Sequence, residues 1–264
     1  MVRFLRHTRA HEYPHLIRRW RQVARATGLI LSPYAASGGW DLFYLEPRRP
    51  RPDAPSIYLS AGIHGDEAGA TDGLLEWATM NPDLLKTLNL LIFPCLNPWG
   101  LVNNCRMDAE GRDLNRGFHN RTIPQIDAQL RVMAERRFDL ALTLHEDYDA
   151  LGMYIYEVPG RPGHWAETLL QAAARHVPTD TRKKIEGSSA RAGVVRRAIK
   201  PHLMPNWPEA FVLHFHHAAR TFTIETPSEF FLDDRVAAHM AVVTKAVVLC
   251  RKEAAQPRSK SKKP

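Results

Sequence analysis

Ser56-Ile-Tyr-Leu-Ser-Ala-Gly-Ile-His-Gly-Asp-Glu67 is the stretch that decides the fold. Its first eight residues form an apolar run of strand length, the pattern of a strand covered on both faces. Gly65 permits a tight exit from that strand. Glu67 to Met80 reads as the helix that follows. Leu88-Asn-Leu-Leu-Ile-Phe93 is the next buried-type strand, stopped by Pro94. A strand, a helix and a second buried strand make one unit of a parallel sheet.

The alternation continues outward in both directions. Upstream, Pro14 to Ala26 carries Leu16, Ile17, Trp20, Val23 and Ala24 at helical spacing and ends at Gly28. Trp40 to Leu45 reads as a strand, and Pro47 to Pro52 is a proline-rich basic loop that cannot continue a ladder. Downstream, Thr122 to Arg137 is helical, with Ile126, Leu130 and Met133 on one face. Asp139-Leu-Ala-Leu-Thr-Leu144 is a buried-type strand, Met153 to Tyr156 a shorter one, and Trp165 to His176 a helix. Pro178 to Pro208 has little periodicity and reads mostly as loop. Phe222 to Glu225 is the last strand, and Asp233 and Asp234 cap a long helix carrying Val236, Met240, Val243 and Val247. This pattern predicts an α/β fold: an open, largely parallel sheet with helices on both faces. Ligand sites in such sheets lie beyond the carboxyl ends of the strands. His64 and His145 directly follow two of these strands and Glu225 closes a third, so the three converge.

Composition narrows the classes. The 264 residues are 44% apolar and 24% charged, as in a soluble globular protein able to build its own core. The three cysteines show no CxxC spacing, which excludes a disulfide framework and points to a reducing compartment. No signal-peptide pattern opens the chain and no run reaches the length of a membrane span, so a cytoplasmic protein is expected. Residues 251–264 carry six basic residues against one acidic, which is +5 of the chain's +8. They read as a disordered, solubilising tail on a catalytic domain spanning 1–250, in preference to the alternative of a nucleic-acid or anionic-surface contact.

Several residue types in these segments carry chemistry. His64 and Glu67, three apart, reach one side of a turn and suit Zn²⁺, although a lone HxxE equally describes a histidine at a strand end before a helix. His145 is a candidate third ligand, or else a core histidine. Two imidazoles and one carboxylate leave a fourth zinc position open, which marks a catalytic rather than a structural site. Glu146 and Asp147 either orient a ligand imidazole or stand solvated, and Asp149 is read as solvated. Arg106 is a candidate to stabilise an oxyanion, and Asn115 with Arg116 to grip a carboxylate; Arg112 is assigned to the surface. Glu225 is a candidate base whose pKa burial raises, or the partner of one of these arginines.

Taken together, His64-Gly-Asp-Glu67, Arg106-Met-Asp-Ala-Glu-Gly-Arg-Asp-Leu-Asn-Arg-Gly-Phe118, Leu144-His-Glu146 and Thr223-Ile-Glu-Thr-Pro227 resemble the zinc carboxypeptidase superfamily, peptidase family M14, over roughly residues 55 to 250. The resemblance implies a single-domain, carboxypeptidase-like sandwich with a mixed, largely parallel sheet of about eight strands. It implies zinc ligands His64, Glu67 and His145, a carbonyl-polarising Arg106, substrate-carboxylate ligands Asn115 and Arg116, and Glu225 as general base and acid. Gly117 and Asp108 stand where the family commonly has asparagine. Tyr148, Tyr154 and Tyr156 are unranked candidates for a tyrosine that closes over substrate. His64-Gly-Asp-Glu67 is closer to the bacterial murein-peptide amidases and to the succinylglutamate desuccinylase and aspartoacylase branch. Those deacylases usually add a C-terminal β-rich domain, whereas fewer than forty residues follow Glu225 here. The expected activity is therefore that of a zinc metallocarboxypeptidase cutting an amide bond beside a free carboxylate of a small peptide. The alternative is a zinc-dependent N-acyl amino acid deacylase. A non-catalytic relative would lack a ligand or Glu225, and none is missing.

Overall fold

The computed structural model describes residues 9–119, 121–158, 163–196 and 199–256. In chain order its elements are α1 (Tyr13–Thr27), β1 (Leu29–Ser37), β2 (Trp40–Pro47), β3 (Ser56–Ala61), α2 (Ala68–Met80), α3 (Pro82–Leu85), β4 (Asn89–Phe93) and α4 (Pro98–Asn103). There follow α5 (Pro124–Met133), β5 (Leu140–Asp147), β6 (Tyr154–Glu157), α6 (Ala166–Ala173), β7 (Lys184–Ile185), β8 (Ser188–Arg191) and β9 (Val194–Val195). The chain ends with α7 (Glu209–Val212), which runs on as a π-turn over Leu213–His217, then β10 (Thr221–Pro227) and α8 (Leu232–Ala254).

The strands form one sheet in the order β1-β2-β4-β3-β5-β10-β6-β9-β8-β7. Its centre, β4-β3-β5-β10, is parallel, as the apolar runs predict, because strands joined by helices must enter from the same end. The flanks are mostly antiparallel, so the sheet is mixed. Helices cover both faces. On one, Leu16, Ile17, Trp20 and Val23 of α1 pack with Leu74 and Trp77 of α2 and Val242, Val243 and Val247 of α8. On the other, Ile126 and Met133 of α5 pack with Tyr58, Phe93 and Leu213. Among the described residues no helix is long and apolar enough to cross a membrane.

Four expectations need correction. There are ten strands, not about eight. Of the four beyond the six strands read from the sequence, one is β1, an edge strand whose pairing shifts register between Pro33 and Ala35. The others are β7, β8 and β9, of two to four residues each, too short for a sequence period. Next, β5 does not stop at Leu144 but continues through His145 and Glu146 to Asp147. Asp233 and Asp234 lie inside the first turn of α8, with Phe231 at its N-cap position. Finally, that helix includes residues 251–254 of the expected tail; 257–264 fall outside the described residues.

Candidate active site

Three neighbouring strands deliver the site. His64 lies just past the end of β3, and His145 lies within β5 beside it. Glu225 of β10 is the register partner of His145 on one side and of Tyr154 in β6 on the other. Register partners share a face, so His145, Glu225 and Tyr154 stand in a row across the sheet. Gly65 is dictated by close approach: a Cβ there would lie 1.9 Å from the carbonyl carbon of Gly100. The turn carrying His64 and Glu67 is therefore pressed onto the start of α4.

The imidazole Nδ1 of His64 is 2.5 Å from Glu67 Oε1, and Nδ1 of His145 is 3.0 Å from Glu67 Oε2. The two rings are 5.1 Å apart, and the candidate ligand atoms of all three residues lie within 4.8 Å of one another. All three side chains are buried. Burial disfavours a charged His64, but Glu67 and Asp113 outweigh it and raise the imidazole's pKa to about 9. Burial likewise works against the Glu67 carboxylate, and the two imidazoles overcome it and hold the carboxyl below its usual range. Two imidazole nitrogens facing the two oxygens of one buried carboxylate are a donor set that suits a divalent cation. His64, Glu67 and His145 are a group that could hold a metal ion.

Asp113 was given no role in the sequence reading, and it ties the site together. Its Oδ1 accepts from His64 Nε2 at 3.3 Å and from the Asn115 backbone N–H at 2.9 Å. Its Oδ2 accepts from Arg106 Nε and Nη2 at 3.2 and 2.9 Å. Burial would raise the Asp113 pKa, but His64 and Arg106 pull it well below the usual range. Occupying Nε2 of His64 leaves Nδ1 to face Glu67 and a metal. The same arginine brings Nη1 to 3.3 Å from His64 Nδ1, which puts one edge of the guanidinium at the metal site. The signal in the sequence was the aspartate that opens Asp113-Leu-Asn-Arg116.

All seven predicted site residues, His64, Glu67, Arg106, Asn115, Arg116, His145 and Glu225, line one cavity of about 270 Å³. Asn115 is buried, and its Oδ1 accepts the Glu209 backbone N–H at 2.9 Å. Arg116 is exposed; among the described residues its guanidinium bonds only the Asn115 carbonyl, at 3.0 Å, and pairs with no carboxylate. Glu225 is half-buried and, among the described residues, pairs with no arginine. Burial pushes its pKa well up, against the opposing pull of His145. Arg112 stays with Asp108 and Glu110 outside the cavity. Tyr154 and Tyr156 line the cavity, whereas Tyr148 does not and is 54% exposed.

Glu146 and Asp147 match neither role foreseen for them. Glu146 is buried, not solvated, and bonds no ligand imidazole. It accepts from the Gly69 N–H at 3.1 Å, Thr226 Oγ1 at 3.1 Å and Arg235 Nη1 at 2.5 Å. Burial raises its pKa to about 7 against Arg235. Asp147 accepts the Tyr154 hydroxyl at 2.9 Å, and Asp149 is exposed. A Cβ at Gly117 would lie 2.6 Å from Ile123 Cδ1, the end of a flexible side chain that would have to shift.

Comparison with known proteins agrees with this architecture. The sequence profile of the succinylglutamate desuccinylase/aspartoacylase catalytic domain matches residues 53–203. No sequence among the curated proteins matches the chain. Among solved structures, a protein of Shewanella denitrificans provisionally described as a metallopeptidase is 23% identical, with a TM-score of 0.80 over 91% of each chain. A metallo-carboxypeptidase from Burkholderia cenocepacia is 16% identical, with a TM-score of 0.66 over 92% of this chain and 69% of its own. Carboxypeptidase A from Helicoverpa armigera is 16% identical, with a TM-score of 0.66 over 93% of this chain and 74% of its own. At these identities the likeness is one of fold: the α/β carboxypeptidase sandwich.

Proposed function

The chain belongs to the succinylglutamate desuccinylase/aspartoacylase catalytic-domain family, and from that starting point we propose that it is a zinc-dependent hydrolase cutting an amide bond beside a free carboxylate, acting as a metallocarboxypeptidase on small peptides. One observation carries the reading. A buried His64–Glu67–His145 cluster opens into a cavity that also holds Glu225 and the Arg116 guanidinium, which no carboxylate among the described residues neutralises.

Zn²⁺ held by those three residues supplies Lewis acidity, which polarises a carbonyl and lowers the pKa of water. The chain's own groups do the rest. Glu225, its basicity raised by burial, takes the proton of the attacking water on its carboxylate and returns it to the leaving amine. Arg106, gripped along one edge by Asp113, offers its remaining N–H groups to the oxyanion. Arg116 and the Asn115 amide bind the substrate's carboxylate and so fix which amide lies over the metal site. No cysteine forms a disulfide, which suits a cytoplasmic enzyme.

The family match favours a second reading, an N-acyl amino acid deacylase, in which the same residues hold the product amino acid's carboxylate. Assays on blocked dipeptides with free or amidated C-termini, beside N-acetyl- and N-succinyl-amino acids, separate the two. The peptidase reading expects turnover of free-carboxylate dipeptides. It also expects Arg116→Ala to raise KM for them by about ten-fold or more while sparing amidated ones. Turnover confined to N-acyl amino acids would select the deacylase. Equal loss on amidated and free substrates would refute the role of Arg116.

A further inference from the structure

Glu209 is a buried carboxylate that the reaction does not use. It opens α7, is 1% exposed, and pairs with no cation among the described residues. A carboxylate is tolerated there only if several donors converge on it. Three do: the Tyr58 hydroxyl in a short bond, Ser60 Oγ at 2.8 Å and Gln129 Nε2 at 2.7 Å. Tyr58 and Ser60 alternate on one face of β3, the strand that leads to His64, and Gln129 belongs to α5. The carboxylate thereby fastens residue 209 to two rigid elements.

The backbone N–H of this residue reaches the Asn115 side chain, donating to Oδ1 at 2.9 Å. An asparagine amide has one accepting and one donating end, so spending Oδ1 on Glu209 directs the NH₂ elsewhere. Asn115 lines the cavity together with Pro208, Ala210 and Phe211, which flank Glu209. A donor at that place attracts a substrate carboxylate, while the flipped amide would turn an acceptor toward it. We propose that Glu209 is a positioning residue: by anchoring its own backbone N–H on β3 and α5, it locks the Asn115 amide with its NH₂ toward the substrate's carboxylate. This rests on the reading of Asn115 as a carboxylate ligand.

The test compares Glu209→Ala, Asn115→Ala and the double variant in the zinc-loaded enzyme, on matched free-carboxylate and amidated substrates. The expected result for either single variant is a KM raised about ten-fold for the free carboxylate, kcat nearly kept, and amidated substrates unaffected. The double variant should be no worse than the worse single, because both remove one interaction. Glu209→Gln, which keeps an acceptor for Tyr58 and whose new amide Ser60 can accept, should recover most of the affinity. Should Glu209→Ala fail to fold, Tyr58→Phe removes one anchor and carries the same comparison. Raised KM in Asn115→Ala beside a folded Glu209→Ala of normal KM, additive losses, or equal losses on both substrates would overturn the inference alone. Unchanged KM in Asn115→Ala would overturn the reading of Asn115, and the inference with it.

Discussion

Glu225 has a row of neighbours but no side-chain hydrogen bond among the described residues, and burial is the main cause of its raised pKa. Replacing it by glutamine keeps shape and removes the proton acceptor. Turnover should fall by at least about a hundred-fold while bound metal stays at the wild-type level, read by steady-state assay beside elemental analysis. Near-normal turnover would contradict its role. The residues that meet in the cavity were legible because each occupies a fixed place in a short motif: His64 and Glu67 three apart, Asn115 and Arg116 adjacent, Glu225 before Thr226-Pro227. Asp113 was not, because its role depends on which nitrogen of His64 it meets, and only packing decides that. Glu209 was invisible for the same reason: its partners are 80 to 151 residues away in sequence.

At the level of elements, β5 shows how tertiary contacts override a reading of local polarity. Glu146 follows an apolar run and looks like a surface acid, yet α8 brings Arg235 to it, β10 brings Thr226, and the N-terminal turn of α2 offers the Gly69 N–H. The strand therefore continues, and His145 is held inside a ladder instead of on a loop. Arg235→Met should strand a buried carboxylate and cost about 3–5 kcal/mol in urea unfolding. Adding Glu146→Gln should recover part of that loss. Wild-type stability in Arg235→Met would mean that the pair does not pin β5 to α8. The long central strands and the helices α1, α2 and α8 were readable from apolar period; β1 and the short strands β7 to β9 were not, since pairing with neighbours, not their own sequence, makes them strands.

Across the whole molecule, one buried histidine links the fold to pH. His239 of α8 is fully buried and bonds Thr226, and burial first, with Arg235 second, lowers its pKa from 6.5 to about 3. Between those values the unfolded chain binds a proton that the folded one refuses. Stability should therefore fall as pH drops from 6.5 toward about 3. His239→Gln keeps a partner for Thr226 without the titration, and its melting temperature should fall less steeply with acid. Identical slopes would exclude this histidine as a source of acid lability. The class of fold follows from strand–helix alternation alone, while its mixed flanks depend on the order in which strands assemble, which no local pattern records.

The proposed chemistry depends on a metal ion held by His64, Glu67 and His145. Elemental analysis of the full-length protein, purified with zinc available and then dialysed, tests it most directly. A single zinc ion per chain, lost in His145→Ala and kept in Glu225→Gln, is the predicted result. Absence of a stoichiometric divalent cation, or undiminished metal in His145→Ala, would contradict it.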